Sequence, residues 1–405
     1  MIELLLALGF GVALGVLTGL LPGLHPNTMI PLLVGAAAYF DPVTAAVILV
    51  ATGITNSFVA FIPAILLGAP EDAEAMSSLP GHRLLLAGRG YEAIKMTIIG
   101  GLGSVILCIM ALPVLWFGFP VVYSVTRPFL HWLLSAVVAY MMLSETGWNK
   151  AGWAFMTFML AGILGVITLD SFGSRSLFPM LTGLFGLPMI LLSLKRGIKL
   201  PESISYESEQ LPRKSRFAGM AAGSAAGILV GLLPGIGSAQ ATVLAREAVG
   251  NSKNTGHSDR TFLMAAGGVT AADSIYSLLA LWMIGNPRSG ISVAISQIVD
   301  VTPQLLMTVI PALVAAAGIA AYITLRLARV MIPLMRRINY GKLNMAVILL
   351  LVLLVAIFSG PLGLLILTVA TAIGLIPNLT GIRRSHSMGC LLLPAILFFA
   401  GLSLI

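Results

Sequence analysis

Between Lys95 and Arg127 the chain runs for 31 residues, Met96 to Thr126, without one charged side chain. A bilayer core about 30 Å thick is crossed by roughly 20 apolar helical residues, so this stretch alone is long enough to span a membrane. Comparable apolar runs recur along most of the sequence. Hydrophobic residues fill 58% of 405 positions and charged residues only 9%, against about 25% charged in soluble domains. Inside lipid every backbone N–H and C=O must be satisfied internally, which leaves helices or a closed barrel. A barrel would show short alternating strands, and the sequence has none. An all-α polytopic membrane protein is expected.

The remaining composition narrows the class. Met1-Ile2-Glu3 lacks the positive start of a secretory signal, so no cleavage is expected. Cys108 and Cys390 lie in apolar runs, as inert packing residues do. The net charge of +8 is scattered over short loops between spans rather than gathered on a soluble face, which points to membrane orientation and away from nucleic acid. No His, Cys or Glu spacing suits zinc and no Walker loop is present, so neither a metal nor a nucleotide cofactor is expected.

Two phrases interrupt the apolar background. GLLPGLHPNT occupies 19–28 and GLLPGIGSAQAT occupies 231–242, 212 positions apart. The correspondence continues at an offset of 217, where Asn56-Ser57 falls opposite Asp273-Ser274, Gly68 opposite Gly285 and Pro70 opposite Pro287. Leu112-Pro113 then matches Ile332-Pro333. Two repeats are expected, 1–194 and 217–405, joined by a polar linker at 195–216. Each reads as a Pro-Gly-broken helical hairpin, at about 4–40 and 217–249, followed by five spans. The first set lies near 44–68, 94–118, 128–144, 152–168 and 176–194; the second near 261–285, 303–325, 344–358, 362–378 and 388–404.

With these spans, 20 of the 23 Lys and Arg residues fall on one face and only Arg127, Arg175 and Arg288 on the other. The positive-inside bias makes the first face cytoplasmic and puts both termini outside. Five crossings per repeat is an odd number, so the second repeat enters the membrane inverted. Inverted repeats with interrupted helices are an architecture of secondary transporters.

Pro removes a backbone donor and Gly weakens a helix, so each Leu-Pro-Gly should break one. Such a break is tolerated at membrane depth only where it is buried in protein or faces a watery cavity. The helix that restarts behind it offers free N–H groups and partial positive charge, a seat for an anion. The first break supplies Pro22, Gly23, His25, Asn27 and Thr28; the second supplies Pro234, Gly235, Gly237, Ser238, Gln240 and Thr242. The competing reading is a plain Pro-Gly turn whose polar residues act as helix caps. Arg288, beside Asn286-Pro287 on the sparsely charged face, adds a candidate anion clamp, with Arg175 a weaker one.

A carboxylate in the middle of a span costs about 2.5–3.5 kcal/mol on insertion scales, so Asp273 needs a function or a partner. Its counterpart Asn56 has the same shape without the charge. Thr55, Asn56 and Ser57 with Thr270, Asp273 and Ser274 are the candidate coupling-ion residues, for Na⁺ or H⁺. Glu71, Asp72 and Glu74 read as a surface ion-pair network with Arg83 and Arg89.

The LPG phrases at the head of each repeat resemble the large membrane subunit of the tripartite tricarboxylate transporter family. The likeness extends to LLGAPEDAEAMSSLPGHRLLLAGRGYEA at 66–93, similar to that family's Pro-Gly-Glu phrase and the Gly-Arg-x-Gly turn about 20 residues later. MIGNPRSGISVA at 283–294 is similar to its Gly-Ile-Pro-Gly-Ser-Gly phrase. The chain departs from the family where Thr55-Asn56-Ser57 replaces a Gly, Ser and Thr run, and where Thr270-Ala271-Ala272-Asp273-Ser274 replaces Pro-Glu-Ala-Ala-Asn-Asn. At His25 the family pattern has Gly. The resemblance implies a di- or tricarboxylate substrate, a small membrane partner subunit and an extracytoplasmic binding protein. The function expected is therefore gradient-driven transport of a small organic anion across the cytoplasmic membrane, not catalysis. The alternative is a transporter or exporter of a phosphorylated or lipid-linked metabolite, with an intramembrane enzyme a weaker rival because Asp273 has no carboxylate partner in a span and Ser238 no nearby His in sequence; assembly as a homo-oligomer stays open.

Overall fold

The computed structural model describes residues 2–21, 40–66, 78–172, 176–196, 211–232, 237–249, 255–285, 287, 289–337 and 340–402. All regular structure among them is helical: α1 (Ile2–Leu20), α2 (Pro42–Val59), α3 (Phe61–Leu66), α4 (Ser78–Leu86), α5 (Gly90–Thr126), α6 (Leu130–Leu143) and α7 (Trp148–Phe172). Then come α8 (Leu177–Leu181) and α9 (Leu187–Arg196), joined by a π turn, α10 (Arg213–Leu232), α11 (Ser238–Val249) and α12 (Thr255–Ile284). The chain continues as α13 (Gly290–Ile298), α14 (Pro303–Arg337), α15 (Tyr340–Thr380) and α16 (Gly389–Phe399). Among the described residues seven helices are long and apolar enough to cross a membrane, and the protein is an all-α polytopic membrane protein.

Local chemistry explains several boundaries. The Asp41 carboxylate accepts the Thr44 N–H at 3.2 Å and Pro42 opens the helix, so α2 starts where its orphan donors are satisfied. Ser289 and Ser292 form a reciprocal capping box at the head of α13. Gly360 holds φ 64° inside α15, a left-handed conformation that suits glycine. It divides α15 into two limbs close to the expected spans 344–358 and 362–378.

The spans differ from the sequence expectation mainly in length. α5 continues to Thr126 and α14 to Arg337, so the stretches 119–126 and 326–337, read as loops from the sequence, are helical. A helix propagates one hydrogen bond per residue and has no reason to stop at the bilayer edge. Within the linker, residues 213–216 are already the first turn of α10.

Two helices sit at the centre. In Pro42–Leu66 and in Ser258–Ile284 the apolar window is 89% buried, against 39% or less in the other five candidate spans. α1 lies along α2 through Gly11, Gly15 and Gly19, which meet Ile48 and Ala51, then Thr52 and Thr55, then Val59 and Ala60. α10 lies along α12 through Gly219, Gly223, Gly227 and Gly231, which meet Thr261, then Ala265 and Gly268, then Ala272, then Tyr276. In each pair the numbers rise together, so the two helices run in the same direction. Glycine at every fourth position leaves a groove in which backbones approach closely.

The second span of each half packs against the central helix of the other. α5 meets α12 through Thr97 and Gly267, Gly100 and Met264, and Ser104 and Gly268, while α14 packs on α2. The last spans exchange in the same way: α7 packs on α16 through Gly162, Gly165 and Gly389, and the second limb of α15 packs on 177–196 through Gly183 and Gly374.

Candidate functional site

The site builds from the start of α11, which lies between α10 and α12 in the chain. α10 ends at Leu232, with Gly231 against Tyr276, and α11 begins at Ser238. α11 then runs back along α12, because Ser238 bonds to Asp273 whereas Arg246 stacks on Phe262 at 5.2 Å. Residues 233–236, with Pro234 and Gly235, lie outside the described residues, as do Pro22, Gly23, His25, Asn27, Thr28, Arg175 and Arg288. The side chain of Gln240 is outside them too.

Asp273 is the centre of what is described. The Ser238 hydroxyl donates to its Oδ2 at 2.7 Å and the Ser277 hydroxyl to its Oδ1 at 2.7 Å. No Lys, Arg or His pairs with it among the described residues. Thr242 donates to the Ser238 carbonyl at 2.7 Å, and the Gly237 carbonyl accepts the Ala241 N–H, so both fix the first turn of α11. Asp273 lies 15 residues past Ser258 and 11 before Ile284, about 22 Å and 16 Å along a helix rising 1.5 Å per residue. The carboxylate therefore stands in the interior of the span.

The other sequence candidates fall into two groups. Thr270 and Ser274 turn their hydroxyls back onto the carbonyls of Gly267 and Thr270, at 3.0 and 3.3 Å, and Ser57 does the same onto Gly53 at 3.0 Å. Asn56 reaches across to α1, donating from Nδ2 to the Thr18 hydroxyl at 3.2 Å, and Thr18 donates on to Gly15 at 3.2 Å. The Thr55 hydroxyl is buried without a hydrogen-bond partner among the described residues. Asn56 and Asp273 thus each tie a central helix to a helix that precedes it in the chain: Asn56 to α1, Asp273 to α11.

Ser277 and Thr18 were not among the sequence candidates. Ser277 stands one turn after Asp273, and that four-residue spacing was a readable signal. Thr18 lies 38 positions from Asn56, with no local signal to join them. A neutral chain borders the site, in which Tyr276 and Cys108 each lie 3.5 Å from the Ser224 hydroxyl.

At the far end of α12 the charges are paired. Glu92, fully buried, binds Arg260 at 3.0 Å and Arg89 at 2.7 Å, while Asp259 binds Arg83 at 2.9 Å. The Arg83 and Arg89 partners are thus Asp259 and Glu92; Glu71, Asp72 and Glu74 lie outside the described residues. Arg329 joins this end through the Tyr91 hydroxyl at 3.2 Å. A second contact of this kind links the turn after α6 to the segment before α16, where Glu145 meets His386 Nε2 and the Arg383 N–H, both at 2.9 Å. Burial alone would raise the Glu145 carboxyl; the Arg383 N–H and His386 outweigh it and hold it below the usual carboxylate range.

Comparison with known proteins agrees with this architecture. The family model described as the tripartite tricarboxylate transporter TctA family matches residues 5–389. An uncharacterized protein of Methanocaldococcus jannaschii is 30% identical over 388 residues, covering 93% of this chain and 94% of that protein. No solved structure matches. A match that begins in α1 and ends at the head of α16 takes in both central helices: the chain belongs to the tripartite tricarboxylate transporter TctA family.

Proposed function

We propose that the chain is a secondary active transporter that carries a small di- or tricarboxylate across the cytoplasmic membrane, driven by a Na⁺ or H⁺ gradient. The observation that carries this reading is the Ser238–Asp273–Ser277 bridge. It puts one ionisable group, held by hydroxyls from two helices, at the start of α11 and in the interior of a span. Intramembrane carboxylates are costly and mark ion or substrate paths. Asn56, Thr55 and Ser57 form the neutral counterpart in the first repeat, and the residues of both LPG phrases with Arg288 hold the anion.

Inverted repeats are supported by the helix directions. α5 and α12 run in the same direction, since Glu92 pairs with Arg260, Thr97 packs on Gly267 and Ser104 on Gly268. α2 runs opposite to both, because its continuation α3 hands the chain to α4, where His82 meets the Ile65 carbonyl at 3.1 Å, and α5 then returns. The first spans of the two halves are therefore antiparallel. Basic residues assigned to one face by the positive-inside bias also meet: Arg89 and Arg260 share the Glu92 carboxylate. The family's tripartite description supports two further partners, a small membrane subunit and an extracytoplasmic binding protein.

The test is uptake of labelled succinate, malate and citrate into liposomes containing the purified protein, under imposed Na⁺ or H⁺ gradients. Gradient-dependent uptake of at least one carboxylate is expected, reduced at least tenfold in Ser238→Ala. Absence of uptake under either gradient, with the protein folded in the bilayer and the binding protein supplied, refutes the reading.

A further inference from the structure

Asp273 has a feature that a simple ion ligand does not need: its carboxylate is bonded to the first residue of a neighbouring helix. Ser238, which donates to its Oδ2, is the first residue of the 12-residue helix α11. The Asp273 carboxylate therefore already faces the end of α11 whose first N–H groups have no partner within the helix. Its other oxygen takes the Ser277 hydroxyl, so both oxygens are engaged by neutral donors from two helices. We propose that Asp273 is the chain's own occupant of the anion seat on α11, and that it yields the seat by taking up one proton from the side where substrate enters. Each carboxylate then binds together with one proton, and both are released on the opposite side. This inference rests on the transport reading above.

The electrostatic surroundings favour the exchange. A second carboxylate brought to the same helix start would stand within about 5 Å of the first, and two like charges that close cannot both stay ionised. Asp273 has no neutralising cation at hand among the described residues, and Arg288, assigned above to the substrate, lies outside them. α2 and α13 carry no charged residue. The charges of α10 are Arg213, Lys214 and Arg216 in its first turn, and those of α5 are Glu92 and Lys95 near its start. α11 carries Arg246 and Glu247 toward its end, with Arg246 beside Phe262. α4 brings His82 and Arg83, with Arg83 paired to Asp259, and α14 holds Arg326, Arg329, Arg336 and Arg337 near its end. The titratable groups at the level of Asp273 are Tyr276 and Cys108, both uncharged at neutral pH. Asn56 holds the matching position in the first repeat and binds no proton, so the count is one proton per cycle rather than two.

The experiment uses the full chain in liposomes and whichever of labelled succinate, malate or citrate it carries, with an entrapped pH dye and no Na⁺ gradient. In the wild type, uptake should acidify the interior, and apparent affinity should fall about tenfold per pH unit on the alkaline side. Asp273→Asn should bind the same carboxylate at pH 8 at least tenfold tighter than the wild type, with a flat pH profile and no proton entry. Ser277→Ala, which removes one donor to the carboxylate and leaves the acid in place, should move the wild-type profile by half a pH unit or more toward alkaline pH. A wild type that is indifferent to pH and driven by Na⁺ alone overturns the exchange while transport stands. So does an Asp273→Asn protein that folds, judged by an unchanged thermal midpoint, but no longer binds. Failure of the wild type to carry any of the three carboxylates overturns both readings.

Discussion

Replacing Glu92 tests how the two halves are fastened at one end. Its side chain is fully buried and serves two guanidiniums: Arg260, 4% exposed, at 3.0 Å, and Arg89, 30% exposed, at 2.7 Å. At an effective dielectric constant of about 20, a pair at 3.0 Å attracts by roughly 5–6 kcal/mol, most of which offsets desolvation of the two charges. Removing one member of a buried pair exposes that desolvation cost and destabilises by about 3–5 kcal/mol. Arg89 can rehydrate when its partner is lost, so its removal costs about 0–1 kcal/mol. Glu92→Ala should therefore lose about 3–5 kcal/mol and Arg89→Ala no more than about 1. The double variant Glu92→Met with Arg260→Met should recover most of the loss, because no orphaned charge remains. Equilibrium unfolding in mild detergent, followed by tryptophan fluorescence, measures all three. If Glu92→Ala and Arg89→Ala fall within about 1 kcal/mol of each other, the buried pair does not join α5 to α12 as described.

Two further outcomes follow from local geometry. A methyl at Gly165 would collide with the Cys390 carbonyl, and one at Gly152 would meet nothing within 4 Å; Gly165→Ala should cost about 1–3 kcal/mol and lower the yield of folded protein, and Gly152→Ala should leave the unfolding midpoint within error. Glu145 is held below its ordinary ionisation range in the folded state, so its contribution is present above the unfolded-state value near pH 4.3–4.5 and is lost as pH falls through the lower folded-state value. Glu145→Gln should flatten that acid-side loss in a stability-against-pH series, and an unchanged slope would remove Glu145 as its source.

The all-α membrane class was legible in the sequence, because an unbroken apolar run such as 96–126 satisfies its backbone in lipid as a helix. The offset of 217 pairs Asn56 with Asp273, and both residues lie on the two most buried spans. The glycine ladders were legible too, as a four-residue spacing at Gly11, Gly15 and Gly19 and again at Gly219, Gly223, Gly227 and Gly231. What they touch was not, since a groove of small residues does not name its partner. Helix lengths were misread at 119–126 and 326–337 because bilayer thickness sets a minimum length and no maximum. Of the site, Asp273 and Ser238 stood out as polar groups in apolar surroundings. Their bond joins residues 35 positions apart on helices running in opposite directions, which no local pattern encodes.

The contacts that recur and the positions that differ divide the molecule in an informative way. At the offsets of 212 and 217, Gly11, Gly15 and Gly19 become Gly223, Gly227 and Gly231, and their contacts at Ile48, Ala51 and Val59 become contacts at Ala265, Gly268 and Tyr276. At the same offsets Thr18 becomes Val230, Thr55 becomes Ala272, Asn56 becomes Asp273 and Ala60 becomes Ser277. Close backbone approach tolerates no added atoms, so each ladder needs its glycines. Polar positions are under no such steric rule and were free to specialise. The first hairpin spends its polar groups on a neutral amide–hydroxyl link, Asn56 to Thr18, suited to holding α1 and α2 together in a fixed relation. The second concentrates them on a carboxylate with one donor on each of two helices, an arrangement whose strength changes with a single proton. The two corresponding positions thus differ by one ionisable group: an amide at Asn56 and a carboxylate at Asp273.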